Sequence, residues 1–309
     1  MEIEIAIRTM VPIFLLMGLG FLSRKIGLLK SGDERVLSAY VYYFALPALF
    51  LSNLSEATLN EENLRFIVIG IIPILIALIL YTIIYFALRL SRETFYLLIL
   101  STVFGSLAFF GIPFIMFAFP NEGEYLATLS ASTISIISVP VSIAVLESYR
   151  LGKTSIVTEA KIIVKKLSAN PLIISIIIGI ILSLTGAEIP EPILAPLRML
   201  GNTTAVVAIF MLGVFFYGRK YANLTRAFKL SLLRTVFLPS IAFIAATLFA
   251  LPTLPKATLV VMHSVPIAVS MMVLSERYNF HKETIASTII VSSLWAGIYL
   301  NLWLLLSLV

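Results

Sequence analysis

The chain has 309 residues, of which 60% are hydrophobic and 12% charged, with 22 Lys and Arg against 16 Asp and Glu and a net charge of +6. So apolar a chain lacks the polar shell of a soluble globule and cannot be a disordered polymer; at about 20 residues per span it has room for about nine or ten membrane helices. The absence of cysteine excludes a disulfide scaffold, a thiolate metal site and a thiol nucleophile, and the basic balance reads as the cytoplasmic Lys and Arg of a membrane protein rather than as a nucleic-acid surface.

The first span is expected at about 6–23. It opens on acidic residues, and Arg24 and Lys25 follow it, the reverse of a secretory leader, so it reads as a retained helix. Spans 2 and 3 follow at about 36–54 and 66–88. Span 4, about 95–118, contains Gly105, Gly111 and Pro113, which weaken a helix near mid-membrane. Span 5, about 125–147, carries Ser130, Ser132, Thr133, Ser135 and Ser138; such small hydroxyl residues mark close helix packing, and Ser135 near mid-span is a candidate substrate contact.

The longest polar stretch, 147–170, leads to span 6 at about 170–186. Span 7, about 198–217, holds Asn202, which is costly in lipid unless it bonds a neighbouring helix or a substrate. Span 8 is expected at about 228–250, with Arg234 just inside its cytoplasmic end. Span 9, about 256–275, contains His263-Ser-Val-Pro266, where Pro266 removes an amide donor and interrupts the helix or merely kinks it. Span 10, about 284–308, carries Ser287, Thr288, Ser292 and Ser293, with Trp295 and Trp303 as core or lipid-facing aromatics. No Lys, Arg, Asp or Glu is expected in the middle of a span. His263 is the one ionisable group placed well inside one; it reads as a neutral core histidine or as a proton or substrate contact.

The segments are too long and too uniformly apolar for barrel strands, so the expected fold class is an all-α integral membrane protein of ten transmembrane helices. Nearly all Lys and Arg fall in the linkers 1–2, 3–4, 5–6, 7–8 and 9–10, among them Lys153, Arg219 and Lys220; only Arg8, Arg65, Arg198 and Lys256 lie on the opposite side. The positive-inside rule then places the first set in the cytoplasm of a multi-pass cell-membrane protein with both termini outside.

Five spans precede the polar stretch and five follow it, so the second half enters the membrane inverted. Pro12 with Pro171, and Glu124-Tyr-Leu-Ala-Thr128 with Glu283-Thr-Ile-Ala-Ser287, are weak matches at one common offset. Residues 1–150 and 151–309 are thus read as inverted five-helix repeats, as in secondary transporters. The interruptions at Gly105 and Pro266 each fall in the fourth span of their half. A broken helix frees N–H groups and a positive dipole end, which suit an anion.

Several motifs now resemble one family. Phe44-Ala-Leu-Pro-Ala-Leu49, Gly105-Ser-Leu-Ala-Phe-Phe-Gly-Ile-Pro113, Glu147-Ser-Tyr-Arg150, Leu200-Gly-Asn-Thr-Thr204 with Met211-Leu-Gly213, and Ser275-Glu-Arg-Tyr278 are similar, in order along the whole chain, to the auxin efflux carrier family. The resemblance implies ten spans in two inverted repeats with broken helices 4 and 9 crossing at the substrate site. It also implies a scaffold layer (helices 1, 2, 6, 7) and an elevator-like transport layer (helices 3–5 and 8–10). In the family an Asn usually stands where Ser106 stands, and plant members have a polar residue where Ile267 stands. Side-chain donors are therefore fewer here, and the backbone N–H groups at the two breaks are expected to be the main anion ligands.

The expected function is secondary transport, as an efflux carrier, of a small organic anion, an auxin-like or dicarboxylate-like carboxylate, by alternating access. The expected substrate-binding residues are Gly105, Ser106, Gly111, Pro113, Ser135, Asn202, His263, Ser264, Pro266 and Ile267. Proton and sodium coupling stay open, as does a homodimer; no cofactor, metal or nucleic acid is expected. A membrane receptor or sensor that binds such a ligand without moving it is the alternative. An enzyme is not expected, since no H-E-x-x-H, P-loop, G-x-S-x-G or embedded Asp pair occurs.

Overall fold

The computed structural model describes residues 2–57, 60–151, 156–218, 221 and 223–308. Lys153, Arg219 and Lys220 of the charge pattern and both terminal residues lie outside the described set, as do the side chains of Arg8, Glu276 and Arg277. Among the described residues all regular structure is helical, apart from one antiparallel bridge between Gly105 and Ile267. Among the described residues, six helices are long and apolar enough to cross a membrane, or seven if 160–168 and 171–185 count as one bent span. The protein is a multi-pass, all-helical membrane protein. The segments expected as spans 4 and 9 are divided, and the sixth is a helix of 15 residues, so length alone does not count them.

The chain splits into two compact units that interleave in sequence. The first comprises Met1–Phe66, Leu107–Ser132 and Pro171–Arg219. It holds α1 (Glu2–Lys25), α2 (Asp33–Tyr40), α3 (Leu46–Ser55), the first residues of α4 (Glu61–Ala87), and, after α5 (Arg92–Val103) of the second unit, α6 (Ile112–Ala118) and the start of α7 (Gly123–Leu151). It also contains α9 (Pro171–Thr185) and α10 (Glu191–Phe216), which follow α8 (Ile156–Ser168) of the second unit. Here helices approach through residues without side chains. A Cβ on Gly20 would overlap the Phe210 carbonyl, and one on Gly213 the Met17 carbonyl, so α1 and α10 lie backbone to backbone. Tyr40 and Thr203 share a hydroxyl hydrogen bond of 2.8 Å between α2 and α10.

The second unit comprises Ile67–Ser106, Thr133–Asn170 and Lys220–Val309. It contains most of α4 and α7, α5 (Arg92–Val103), α8 (Ile156–Ser168), α11 (Leu224–Leu232), α12 (Leu238–Leu248), α13 (Thr253–Ser264), α14 (Ser270–Tyr278) and α15 (Lys282–Leu308). Asn223 caps α11, its side chain accepting from the Arg226 N–H at 3.1 Å.

Three π-helical turns, Val41–Ala45, Leu107–Gly111 and Leu233–Phe237, each run into a helix whose second residue is proline: Pro47, Pro113 and Pro239. A proline ring crowds the carbonyl four residues back and leaves it without a donor, and a widened turn relieves the crowding. For Pro239 that carbonyl belongs to Thr235, and the Trp303 indole N–H donates to it at 2.8 Å. Trp303 is therefore a hydrogen-bonded strut between α15 and the π turn, not only an apolar filler. Trp303→Phe keeps the ring but orphans the carbonyl. It is expected to destabilise the protein by about 1–3 kcal/mol, measured as a lower unfolding temperature in detergent.

Candidate functional site

The site grows from two helix ends in the second unit. α5 stops at Val103, and Phe104 leaves the helical region at φ −92°, ψ 89°. α13 stops at Ser264. Val265 precedes Pro266, and the proline ring pushes it to the extended conformation it shows, φ −51° and ψ 152°. The two extended stretches pair in antiparallel fashion. Ser106 N–H donates to the Pro266 carbonyl at 2.7 Å, and Ala268 N–H donates to the Phe104 carbonyl at 3.0 Å. Gly105 and Ile267 face each other between these bonds, with their own N–H groups turned outward. The Ile267 N–H donates to Ser292 Oγ at 3.2 Å, and Ser292 Oγ donates to the Ile289 carbonyl at 3.0 Å.

This corrects the expectation that the amides at the breaks serve chiefly as anion ligands. Those of Ser106, Ile267 and Ala268 are spent inside the protein, on the Pro266 carbonyl, the Ser292 hydroxyl and the Phe104 carbonyl. The bridge does not use the Gly105 N–H, and the Ser106 hydroxyl is buried with no hydrogen-bond partner.

The crossing has a buried cation that the sequence reading put at a span end. Arg234 lies in the π turn near the midpoint of the 25-residue span Leu224–Leu248, and is fully buried. Its guanidinium donates to both helix ends: Nη1 to the Thr102 and Val103 carbonyls at 2.8 and 3.2 Å, Nε to the Val265 carbonyl at 3.1 Å, and Nη2 to the Met262 carbonyl at 3.3 Å. The Met262 carbonyl is the one that Pro266 strips of its donor. A Cβ on Gly105 would overlap the guanidinium, so only glycine fits there. The expectation that no charged residue lies in mid-span thus fails at Arg234. Its depth depends on Asn223 starting the helix earlier than apolarity alone suggests. The carbonyls that make the depth tolerable come from segments distant in sequence.

The structure brings Gly105, Ser106, Pro266 and Ile267 together. His263 and Ser264 are fully buried at the end of α13. His263 Nε2 lies 2.9 Å from the Gly70 carbonyl on α4. A carbonyl only accepts, so Nε2 carries the hydrogen and Nδ1 a lone pair, and Nδ1 is buried without a partner. Ser264 donates its hydroxyl to Val261 in its own helix at 2.8 Å, and is not a free donor. Ser135 is buried on α7 in the second unit. Gly111, Pro113 and Asn202 belong to the first unit, where Gly111 ends the π turn, Pro113 opens α6 and Asn202 is exposed on α10.

Two of the sequence motifs meet elsewhere in the second unit. The buried Glu147 carboxylate accepts from Lys166 and from the Tyr278 hydroxyl, and pairs with Arg150 at 2.8 Å. Lys166 Nζ also reaches Tyr278 Oη at 2.7 Å. Burial, and then the hydrogen bond to Glu147, push the Tyr278 phenol above its ordinary pKa, which keeps it protonated as a donor. Glu147-Ser-Tyr-Arg150 and Ser275-Glu-Arg-Tyr278 therefore form one ionic knot that ties the ends of α7, α8 and α14.

An all-helical membrane chain with two interrupted helices in contact is what the motif order leads one to expect. The model of a family described as membrane transport protein matches residues 5–304. The chain belongs to this family, the auxin efflux carriers. Among its relatives within known proteins is an uncharacterized transporter of Methanocaldococcus jannaschii, 25% identical over 299 residues that cover 94% of this chain and 95% of that protein. Membership makes this chain a membrane transport protein.

Proposed function

We propose that this auxin efflux carrier family member is a secondary carrier that moves a small organic anion, a carboxylate, out of the cell by alternating access. The observation that carries the reading is the crossing itself. Two helices interrupted at Gly105 and Pro266 are stitched by a backbone bridge, beside the buried, unpartnered Ser106 hydroxyl. In this reading the chain makes ten spans in two inverted repeats, with both termini outside. The second unit is the moving transport layer and the first the scaffold. The interleaved division of the chain supports part of that assignment: the first unit gathers α1–α3 with α9 and α10, but it also takes α6 and the start of α7, which belong to the transport layer of this reading. Gly105, Ser106, Pro266 and Ile267 form the centre of the site, and His263 contributes from the helix end beside it.

The test is flux in proteoliposomes against a panel of pyruvate, benzoate, indole-3-acetate, succinate and malate, with an imposed potential. Moving one negative charge outward is favoured by about 2.3 kcal/mol per 100 mV of inside-negative potential. Potential-driven flux of at least one member is expected. Binding without flux would mark a receptor, and neither binding nor flux for any organic anion would sink the reading.

A further inference from the structure

A helix break does not choose the sign of its guest. It offers a negative C-terminal end together with a positive N-terminal one, each worth about half an elementary charge. Arg234 alters this balance. Its four hydrogen bonds all go to the C-terminal carbonyls of α5 and α13, so it covers the negative ends of both breaks at once. Those two ends together carry roughly one negative charge, which the guanidinium offsets. No carboxylate pairs with Arg234 among the described residues; the ion pairs found lie at Glu147, Arg198 and His281. The guanidinium stays charged, and it packs against Gly105, one residue from the unpartnered Ser106 hydroxyl.

We propose that Arg234 is the built-in counter-charge of the substrate, which selects a guest with a single negative charge and makes the loaded crossing electrically neutral. The inference rests on the carrier reading above and adds to it the charge of the cargo and the step on which voltage acts. The empty crossing carries one net positive charge, the crossing holding a monocarboxylate carries none, and one holding a dicarboxylate carries one negative charge. Uncompensated charge is costly within a membrane, so the monocarboxylate complex crosses most readily. The membrane potential then drives the empty crossing back rather than the loaded one out.

The experiment uses the purified full chain and the same panel, with pyruvamide, benzamide and indole-3-acetamide as uncharged counterparts. Binding is read by thermal shift for the wild type, Arg234→Lys and Arg234→Gln. The wild type and Arg234→Lys are expected to prefer a monocarboxylate over its amide and over succinate. Arg234→Gln is expected to lose about tenfold or more of that preference. A folded Arg234→Gln protein that keeps the wild-type preference overturns the proposal. Should Arg234→Gln not fold, wild-type liposomes decide. Exchange of pyruvate for pyruvate is expected to be unchanged by a potential of about 100 mV that alters net pyruvate efflux several-fold. Exchange that follows voltage as steeply as net efflux overturns the proposal. A wild type that binds and moves no carboxylate of the panel instead removes the carrier reading on which it rests.

Discussion

Gly105→Ala is expected to cost about 3–5 kcal/mol of stability and to abolish carboxylate binding, although it adds one methyl group. That methyl must occupy the volume of the Arg234 guanidinium. Ordinary overpacking in a core costs about 1–3 kcal/mol, because neighbours shift a little. Here the neighbour is a buried cation held by four carbonyls at the ends of two helices. Moving it unpairs a charge in the protein interior and exposes the Met262 carbonyl that Pro266 leaves without an amide donor. The matched control is Gly18→Ala in α1, where an added Cβ meets nothing within 4 Å. That change is expected to be neutral or stabilising by about 1 kcal/mol or less through helix propensity. Unfolding temperatures in detergent, with binding of the carboxylate panel on the same samples, read both. A Gly105→Ala protein as stable as Gly18→Ala would show that the guanidinium does not hold the position described.

The second large effect is expected at Glu147. Glu147→Ala removes the buried carboxylate that Lys166, Tyr278 and Arg150 share. Hydrogen bonds to a charged group are worth about 1.5–3 kcal/mol. The loss is expected at about 2–3 kcal/mol, not more, because Lys166 and Arg150 are partly exposed and recover hydration. Glu147→Gln keeps an acceptor for Tyr278 and is expected to lose about half as much. Differential unfolding of the two variants separates the hydrogen bond from the charge; equal losses would assign the whole effect to charge.

Composition made the helical membrane class legible, and the order of weak motifs made the family legible. The interruptions were visible at Gly105 and Pro266 because glycine and proline act locally, on their own turn. Their crossing was legible only through the family resemblance, and the backbone bridge between them was not legible at all, since a bridge of one residue on each side has no alternation to read. The consumption of the Ser106, Ile267 and Ala268 amides was hidden for the same reason: their partners are a carbonyl or a hydroxyl from a distant segment. Arg234 was the largest miss. Its position along a span depends on the helix start at Asn223, and its tolerance on carbonyls from residues 102–103 and 262–265. An arginine followed five residues on by a proline, in a chain with two broken helices elsewhere, was the available signal. The knot at Glu147 was half legible: both motifs were seen as family marks, but nothing in either names the other.

The stitch between the two extended segments at the crossing is made from main-chain atoms alone, and this shapes how such a protein can change. Replacing Ser106 or Ile267 leaves the amide of the first and the carbonyls of Phe104 and Pro266 where they are. The framework is insensitive to what those positions display, while the guanidinium behind Gly105 stays in place. In the carrier reading, evolution could therefore retune which molecule is carried by rewriting the side chains at these two positions, without having to reinvent the junction between the segments.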